Sequence, residues 1–410
     1  MSAVAEQPPV IPPDAHAKDT LGAYAGRWWT GVKGGDLGSL PIIIGLIIIA
    51  IVFQTANSNF LTAGNFVNLV VQSAAYALVA MGIVFVLLLG EIDLSVGYVS
   101  GVAGVTVALL LNPDKSVPPT FVAVIVALLA GLAIGTLHGL IITKIGIPSF
   151  VVTLAGLLGW NGVVLLLIGS RGTVILQNDF LIGLANNFMS DALSWILTVA
   201  VTLLYFLTQA ARVRSRQKSN LPTEPMLLIL IRVGFLFLVL AVVTAVCNQD
   251  RGVPWVGVIV AGFFVFWTFV LRRTKFGRHI YAVGGSAEAA RRAGISVDRI
   301  KIFCFALCSF MAAVGGLVLA SRLRSVDTNS GGGSILLYSI AAAVIGGTSL
   351  FGGRGKPRDA IIGALVIVMI PNGIGLKPNL GPEYQQVITG LVLLIAASVD
   401  ALSRRRSRTS

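Results

Sequence analysis

The chain has 410 residues, of which 56% are apolar and only 11% are charged. An average soluble domain carries about 25% charged residues, so these few charges cannot cover a water-exposed surface around so much apolar chain. The formal net charge of +13 would suit nucleic-acid binding if it formed one patch. The basic residues instead lie between apolar segments, so the composition favours a membrane protein and excludes a nucleic-acid partner.

Long apolar segments recur along the whole chain, and about 20 such residues suffice to cross the hydrocarbon core of a bilayer. Because backbone groups in lipid must pair within their own segment, each span is expected to be a helix. The predicted fold is therefore an all-α, polytopic transmembrane helical bundle of about twelve spans. The spans are residues 40–57, 66–90, 95–112, 119–142, 150–169, 193–210, 226–247, 252–271, 301–321, 334–351, 359–376 and 385–402.

The basic residues also predict the orientation of these spans. With both termini in the cytoplasm, the loops on that side hold most of the Lys and Arg residues, eight of them in the loop 272–301, as the positive-inside rule requires. We therefore expect residues 1–39 to be a flexible cytoplasmic leader, residues 40–402 a transmembrane domain, and residues 403–410 a basic cytoplasmic tail. The span 334–351 is short enough to re-enter the membrane instead of crossing it.

A few polar residues lie within or near the spans. His138 and Arg232 are close to predicted cytoplasmic ends, where snorkelling is the expected behaviour. Asn161 and Asn372 are candidates for lining a transport pathway, although a hydrogen bond between helices is the commoner role for such residues. The three cysteines have no C-x-x-C spacing, so no metal site, disulfide framework or cofactor is expected.

The loop 272–301 contains the signals for a short helix outside the membrane. The pair Gly284 and Gly285 is expected to form a turn, and Ser286 is a suitable N-cap. Gly294 can end the helix in the left-handed conformation. The sequence thus predicts a capped helix of two turns, Ala287 to Ala293.

Four motifs carry a resemblance to a known family. Glu288-Ala289-Ala290-x-x-x-Gly294 resembles the Glu-Ala-Ala…Gly motif of ATP-binding cassette importer permeases. Three further motifs resemble signatures of the ribose/xylose/galactoside branch and follow in family order from about the second to the eleventh span. They are Gly90–Gly97 (Gly-Glu-Ile-Asp-Leu-Ser-Val-Gly), Ile147–Leu154 (Ile-Pro-Ser-Phe-Val-Val-Thr-Leu) and Ile345–Gly355 (Ile-Gly-Gly-Thr-Ser-Leu-Phe-Gly-Gly-Arg-Gly).

In that family the Glu-Ala-Ala helix is the coupling helix, which fits a groove on the ATPase subunit. The resemblance therefore implies an ATPase-coupling site formed by Gly284, Gly285, Ser286, Glu288, Ala289, Ala290, Arg291, Arg292 and Gly294. The family-signature positions are Glu91, Asp93, Ser95, Gly97, Pro148, Gly346, Gly347, Gly352, Gly353 and Gly355. Arg322 and Arg324, which follow the ninth span, are candidates for docking a sugar-binding protein.

The signature residues also have local structural interpretations. Asp93 and Ser95 are placed to cap the third span, where a carboxylate suits the helix dipole. Pro148 is suited to opening the fifth span. Gly352, Gly353 and Gly355 permit a tight turn.

The resemblance implies a permease subunit that moves a monosaccharide into a bacterial cell and lies in its inner (plasma) membrane. Its implied partners are a second permease copy, ATPase subunits, an extracytoplasmic sugar-binding protein and the lipid bilayer. The extra sequence around 193–250 resembles D-xylose permeases, so D-xylose is the expected sugar, with ribose or another small sugar as the alternative.

Three other classes were weighed. An ion-coupled secondary transporter is the main alternative, but ion coupling usually needs ionisable groups at mid-membrane, and the spans are nearly free of Asp and Glu. A channel is disfavoured because no filter motif is visible. An ATPase is disfavoured because Leu350 and Pro357 replace the first Gly and the Ser/Thr of a phosphate loop. We therefore expect no catalytic residue here, with ATP hydrolysed on a separate subunit.

Overall fold

In the computed structural model of the chain, the described residues are Gly26, 40–113, 117–219, 221, 223–377, 381, 383–391 and 394. The predicted leader (apart from Gly26), most of the C-terminal half of the last predicted span and the predicted basic tail lie outside these residues.

Helices make up almost all of the regular structure. In chain order they are α1 (Leu40–Ala56), α2 (Ala63–Leu88), α3 (Val96–Leu110), α4 (Thr120–Leu140), α5 (Ser149–Ile168), α6 (Asp179–Asn186), α7 (Asp191–Lys218), α8 (Met226–Asn248), α9 (Trp255–Arg273), α10 (Lys275–Gly285), α11 (Ala287–Arg292), α12 (Val297–Leu323), α13 (Ser334–Ile345) and α14 (Pro357–Gly375). A π-helical turn, Ile141–Ile145, continues α4, and a 3-10 turn, Gly169–Arg171, follows α5. Residues 383–391 are also helical.

Eight helices in the described part of the chain are long and apolar enough to cross a membrane: α2, α4, α5, α7, α8, α9, α12 and α14. The shorter apolar helices α1, α3 and α13 coincide with three more predicted spans. The all-α, polytopic membrane fold is thus confirmed. The number of twelve spans and their orientation stay predictions.

The chain forms two compact units, of which the smaller comprises residues 190–246 among those described. Within it, the hydroxyls of Thr198 and Thr244 share a 2.7 Å hydrogen bond between α7 and α8. The span that was predicted to end at residue 210 continues as a helix beyond that residue, because α7 extends to Lys218. Arg, Gln and Lys are good helix formers, so this polar segment extends the apolar helix.

The larger unit is built around α12, which packs against α2, α3 and α4. Both α2 and α12 are buried along most of their length, whereas α5 and α9 expose most of their apolar surface. Close approach of α4 and α12 depends on small residues, as is usual between membrane helices. Gly135, for example, lies against the Phe305 carbonyl oxygen, where a Cβ would overlap it.

The segment between α5 and α7 contains regular structure. It contains α6 and a three-residue strand, β1 (Thr173–Ile175), which pairs antiparallel with β2 (Ser325–Asp327) just after α12. The sequence did not predict this ribbon, because a three-residue strand is too short to show an alternating pattern. The ribbon fastens this segment to the end of α12.

Candidate functional site

The loop between α9 and α12 folds as two consecutive helices, α10 and α11. Thr274 caps α10 by accepting a hydrogen bond from the Gly277 N–H at 3.1 Å. Gly284 and Gly285 are the last residues of α10 and not the turn that the sequence predicted. Instead, the chain turns at Ser286, which adopts an extended conformation. The amphipathic helix α10 was missed, because the basic residues around it were interpreted only as a topology signal.

The predicted helix after Ser286 is present as α11, and both of its predicted caps are formed. The Ser286 hydroxyl accepts a hydrogen bond from the Ala289 N–H at 3.2 Å. At the other end, Gly294 has a φ of +81°, and its N–H donates to the Arg291 carbonyl oxygen at 3.0 Å. The Ile295 N–H donates to the Ala290 carbonyl oxygen at 3.0 Å. This pair of bonds is the Schellman motif, so Gly294 fixes the exit of the helix.

Most of α11 is exposed. Glu288 pairs with Arg291 at 3.5 Å and with Arg292 at 3.1 Å along the solvent-facing side of the helix. Ala289 is also exposed, as is Ala293 immediately after the helix. Ala290 is only 4% exposed and faces the protein's own core. Ala290, which the sequence analysis included in the coupling site, therefore packs on its own chain, because one side of so short a helix must be buried there.

The turn after α2 and the glycine turn before α14 both contact the C-terminal end of α10. Gly284 lies against the Leu88 carbonyl oxygen, so closely that a Cβ would overlap it. The same oxygen accepts a hydrogen bond from the Gly353 N–H at 2.9 Å. The positive φ values of Gly352 (+86°) and Gly353 (+72°) confirm the predicted tight turn. Gly90, at the end of α2, lies beside the same turn.

Tyr281 adds a side-chain contact between α10 and this turn. Its hydroxyl donates to the Gly355 carbonyl oxygen at 2.7 Å. Burial, and then the Asp359 carboxylate, raise the pKa of the Tyr281 phenol, so it stays a protonated donor at neutral pH. Gly355 itself lies against the Thr348 side chain. A displacement of α10 would therefore move the glycine turn, both through the backbone packing at Gly284 and through the hydrogen bond from the Tyr281 side chain.

Glu91 connects three separate segments at the same end of the bundle. Its carboxylate pairs with the Lys301 ammonium group in the second turn of α12 and accepts a 2.5 Å hydrogen bond from the Ser149 hydroxyl. Ser149 is the first residue of α5, directly after Pro148, which confirms that Pro148 precedes the start of this helix. Four motifs separated by long stretches of sequence thus meet at one end of the larger unit.

Asp93 and Ser95 form a buried chain of hydrogen bonds and do not cap α3 as predicted. The Ser95 N–H and hydroxyl donate to Asp93 Oδ1 at 2.9 and 2.6 Å, and Ser95 makes no capping bond to α3. The Ser95 hydroxyl oxygen also lies 3.3 Å from His138 Nδ1. Burial raises the pKa of the Asp93 carboxyl, an effect that His138 and the Ser95 bonds oppose.

The ring of His138 is buried at 2% exposure, so the expected snorkelling is wrong. Trp160 Nε1–H donates to His138 Nε2 at 3.1 Å, which assigns the ring proton of a neutral imidazole to Nδ1. Nδ1–H then donates to Ser95, so the hydrogen bonds run in one direction from Trp160 to Asp93 Oδ1. The sequence did not predict this network, because its members are far apart along the chain.

The remaining signature glycines are positions of close packing. A Cβ on Gly97 would overlap the Gly331 carbonyl oxygen, and a Cβ on Gly346 would overlap that of Asp359. Gly347 has a φ of +111°, which L side chains rarely adopt. These glycines allow close packing around α3, α13 and α14.

The two candidate pathway residues differ. Asn372 on α14 forms a reciprocal amide pair with Asn65 on α2, with both N···O distances at 2.9 Å. Asn161 on α5 is half-buried and makes no side-chain hydrogen bond within the described residues. The interhelical role considered for Asn372 is therefore present in the structure, whereas Asn161 keeps free hydrogen-bonding groups.

Arg322 and Arg324 lie at the far end of α12 from the α10–α11 helices. Arg324 is exposed and ends α12 with a left-handed φ of 55°. Arg322 is half-buried. Both line a cavity of about 470 Å³, together with Asn68, Gln72, Asn186 and Arg251. The cavity is a second polar site, separate from the motif cluster around Glu91 and Gly284.

A polytopic helical bundle with a capped, solvent-facing helix between two spans defines a transport permease. The chain belongs to the family described as the permease component of the branched-chain amino acid transport system, which it matches over residues 65–397. It is a multi-pass protein of the cell membrane.

The individual relatives are sugar permeases. The chain is 33% identical to the xylose transport system permease protein XylH of Escherichia coli K12 over 383 residues, which cover 92% of this chain and 95% of XylH. It is 32% identical to XylH of Haemophilus influenzae over 374 residues, 90% of this chain and 98% of that protein. It is 30% identical to the ribose import permease protein RbsC of E. coli K12 over 361 residues, 87% and 92% of the two chains. No solved structure gives a significant match.

Proposed function

We propose that this chain is the membrane-spanning subunit of an ATP-driven importer of a monosaccharide in the bacterial inner membrane. The observation that carries the proposal is α11, an exposed helix with an N-cap at Ser286 and a Schellman end at Gly294. It is too short to be stable alone; Ala290 packs against the core, while the face with Glu288, Arg291 and Arg292 is exposed to solvent. Such a helix is suited to insertion into a partner.

The motif cluster supports a mechanical role for this helix. The helix α10 contacts the Leu88 carbonyl and the Gly353 turn. A displacement of α11 would therefore be transmitted to the end of α2 and to the start of α14. Lys301 pairs with Glu91, and Glu91 accepts a hydrogen bond from Ser149. The same displacement would therefore also be transmitted to α5. ATP binding by two ATPase subunits would move the coupling helices of two permease copies and switch the spans between outward-open and inward-open states.

D-Xylose is the proposed substrate. The two XylH relatives cover at least 90% of this chain, and the α7–α8 region corresponds to the extra sequence that resembles D-xylose permeases. A separate extracytoplasmic binding protein would select and deliver the sugar, with exposed Arg324 and its neighbour Arg322 as candidate docking residues. The proposed topology keeps both termini, residues 1–39 and 403–410, in the cytoplasm around the permease domain 40–402.

The test is uptake of labelled sugar into proteoliposomes that contain the permease and its ATPase, with binding protein outside and ATP inside. We expect uptake of D-xylose to exceed that of D-ribose, to require ATP and to survive collapse of proton and sodium gradients by ionophores. Uptake that needs no ATPase subunit and stops with the ionophores would establish the ion-coupled secondary transporter instead. Preference for D-ribose would overturn the xylose assignment alone.

A further inference from the structure

The cavity at the far end of α12 has the size of a small-molecule site. Its volume of about 470 Å³ falls within the range of roughly 300–1,000 Å³ typical of ligand pockets. A second cavity of about 280 Å³ lies beside it, lined by Tyr76, Asp327, Ser330 and the backbone of Gly101 and Gly316 among others. Arg322 lines both cavities, so its side chain stands between them.

The guanidinium group of Arg322 differs from its neighbour Arg251 in having no partner. Arg251 donates to Asp250 at 2.7 Å and to Asn68 at 2.6 Å, and lies over the Phe188 ring. Within the described residues, the Arg322 side chain forms neither a hydrogen bond nor an ion pair, although it is half-buried. Withdrawing polar groups from water without partners is costly, and a guanidinium offers five N–H donors. The free donors of Arg322 therefore suit an acceptor-rich ligand.

The other polar groups decide the charge of that ligand. The Asn186 side-chain amide donates to the Ile182 and Ser321 carbonyl oxygens at 3.0 and 2.7 Å. Its Oδ1 is left as an acceptor. Gln72 accepts from Asn372 at 3.4 Å, which leaves its N–H groups as donors. The Asp327 carboxylate, on the other side of Arg322, disfavours an anion. The larger cavity is lined by three arginines, of which Arg251 is already paired with Asp250. The free donors and acceptors beside them match hydroxyl groups, which both donate and accept.

We infer that Arg322 holds a neutral monosaccharide during transport, with the sugar passing from the larger cavity to the smaller one. The inference rests on the proposed import function and extends it to a site on the permease itself. Arg322 donates to the hydroxyl oxygens, Gln72 supplies a further donor and Asn186 an acceptor. This assignment separates Arg322 from exposed Arg324, whose position at the rim suits docking of the binding protein.

The experiment compares Arg322→Gln with Arg171→Gln, a change at an exposed arginine that lines neither cavity, in proteoliposomes that contain the permease–ATPase complex, with D-xylose-loaded binding protein outside. Two quantities are measured: ATP hydrolysis stimulated by the binding protein, and D-xylose taken up per ATP hydrolysed. For Arg322→Gln we expect stimulation to remain within about twofold of wild type, while uptake per ATP falls about tenfold or more, as loss of a charged hydrogen bond implies. Arg171→Gln should leave uptake per ATP unchanged.

Gln72→Leu provides a second variant should Arg322→Gln fail to assemble, and it should lower uptake per ATP in the same way. Unchanged uptake per ATP in the assembled variants would overturn the inference. So would a parallel loss of stimulated hydrolysis and uptake in Arg322→Gln, which would make Arg322 a docking residue. Failure of the wild-type complex to import sugar with ATP would instead overturn the proposed function, so the two failures are distinguishable.

Discussion

Gly284 and Leu88 meet backbone to backbone, and the space between them excludes even a methyl group. Through this contact the last turn of α10 rests on the end of α2, a helix buried along most of its length. The position thus joins the exposed helices α10 and α11 to the core of the bundle.

Replacing Gly284 with Ala should therefore impair coupling. The new Cβ would overlap the Leu88 carbonyl oxygen, and the backbone shift that relieves such overpacking costs about 1–3 kcal/mol. We expect co-purification of the ATPase and sugar uptake to fall about tenfold. Gly285→Ala is the matched control, because nothing lies within 4 Å of a Cβ there, and it should behave as wild type. Equal behaviour of the two variants would contradict a role for the Gly284 contact.

The end of α11 gives a second prediction. Gly294 has a φ of +81° in open space, so Gly294→Val should strain the backbone by about 1–2 kcal/mol and tilt the helix without a steric clash. We expect normal membrane insertion, weakened ATPase binding and loss of uptake. Gly294→Asn is the control, because Asn tolerates the left-handed conformation, and it should retain most of the activity.

As part of the same second prediction, Glu288→Lys tests the exposed face of this helix. The change replaces two attractive contacts, to Arg291 and Arg292, with repulsion, and places a positive charge in the first turn where the helix dipole disfavours it. We expect the same pattern of normal insertion, weakened ATPase binding and lost uptake. If Glu288→Lys and Gly294→Val both keep full ATPase binding and full uptake, the coupling-helix assignment is wrong.

The pair of Glu91 and Lys301 gives a third prediction, on stability. Their side chains keep 17% and 24% exposure, so removing one partner should cost somewhat less than the roughly 3–5 kcal/mol of a fully buried pair. We expect Glu91→Gln to lower the thermal unfolding midpoint of the purified permease, and the double exchange Glu91→Lys with Lys301→Glu to recover part of the loss. No recovery in the double variant would show that the attraction between the two charges contributes little.

The amide pair of Asn65 and Asn372 gives a fourth prediction. Asn372→Leu should destabilise the protein by about 0.6–1.7 kcal/mol, the range measured for hydrogen bonds between membrane helices. Asn161→Leu, on a residue whose side chain makes no hydrogen bond within the described residues, should leave the unfolding midpoint unchanged. The measurement is thermal unfolding in detergent, and an equal effect of both variants would argue against the pair as a helix clamp.

The fifth prediction concerns orientation. The positive-inside rule places Lys218 and the C-terminus in the cytoplasm and Asn186 outside. Reporter fusions after Lys218 and at the C-terminus should give cytoplasmic signals, and a fusion near Asn186 an extracytoplasmic one. A C-terminus accessible from outside would contradict the twelve-span arrangement.

Hydropathy alone determined the membrane class and nearly every helix, because apolar length is a local property that no tertiary contact can reverse in lipid. The caps of α11 were equally local, since Ser286 and Gly294 act on neighbouring backbone groups. Only the tertiary structure decided which distant residues contact one another, such as Glu91 with Lys301 and Gly284 with Leu88. It also decided where the cavities beside Arg322 form. Such partners lie in segments far apart in sequence, and their choice depends on helix packing, which leaves no periodic signal in the chain.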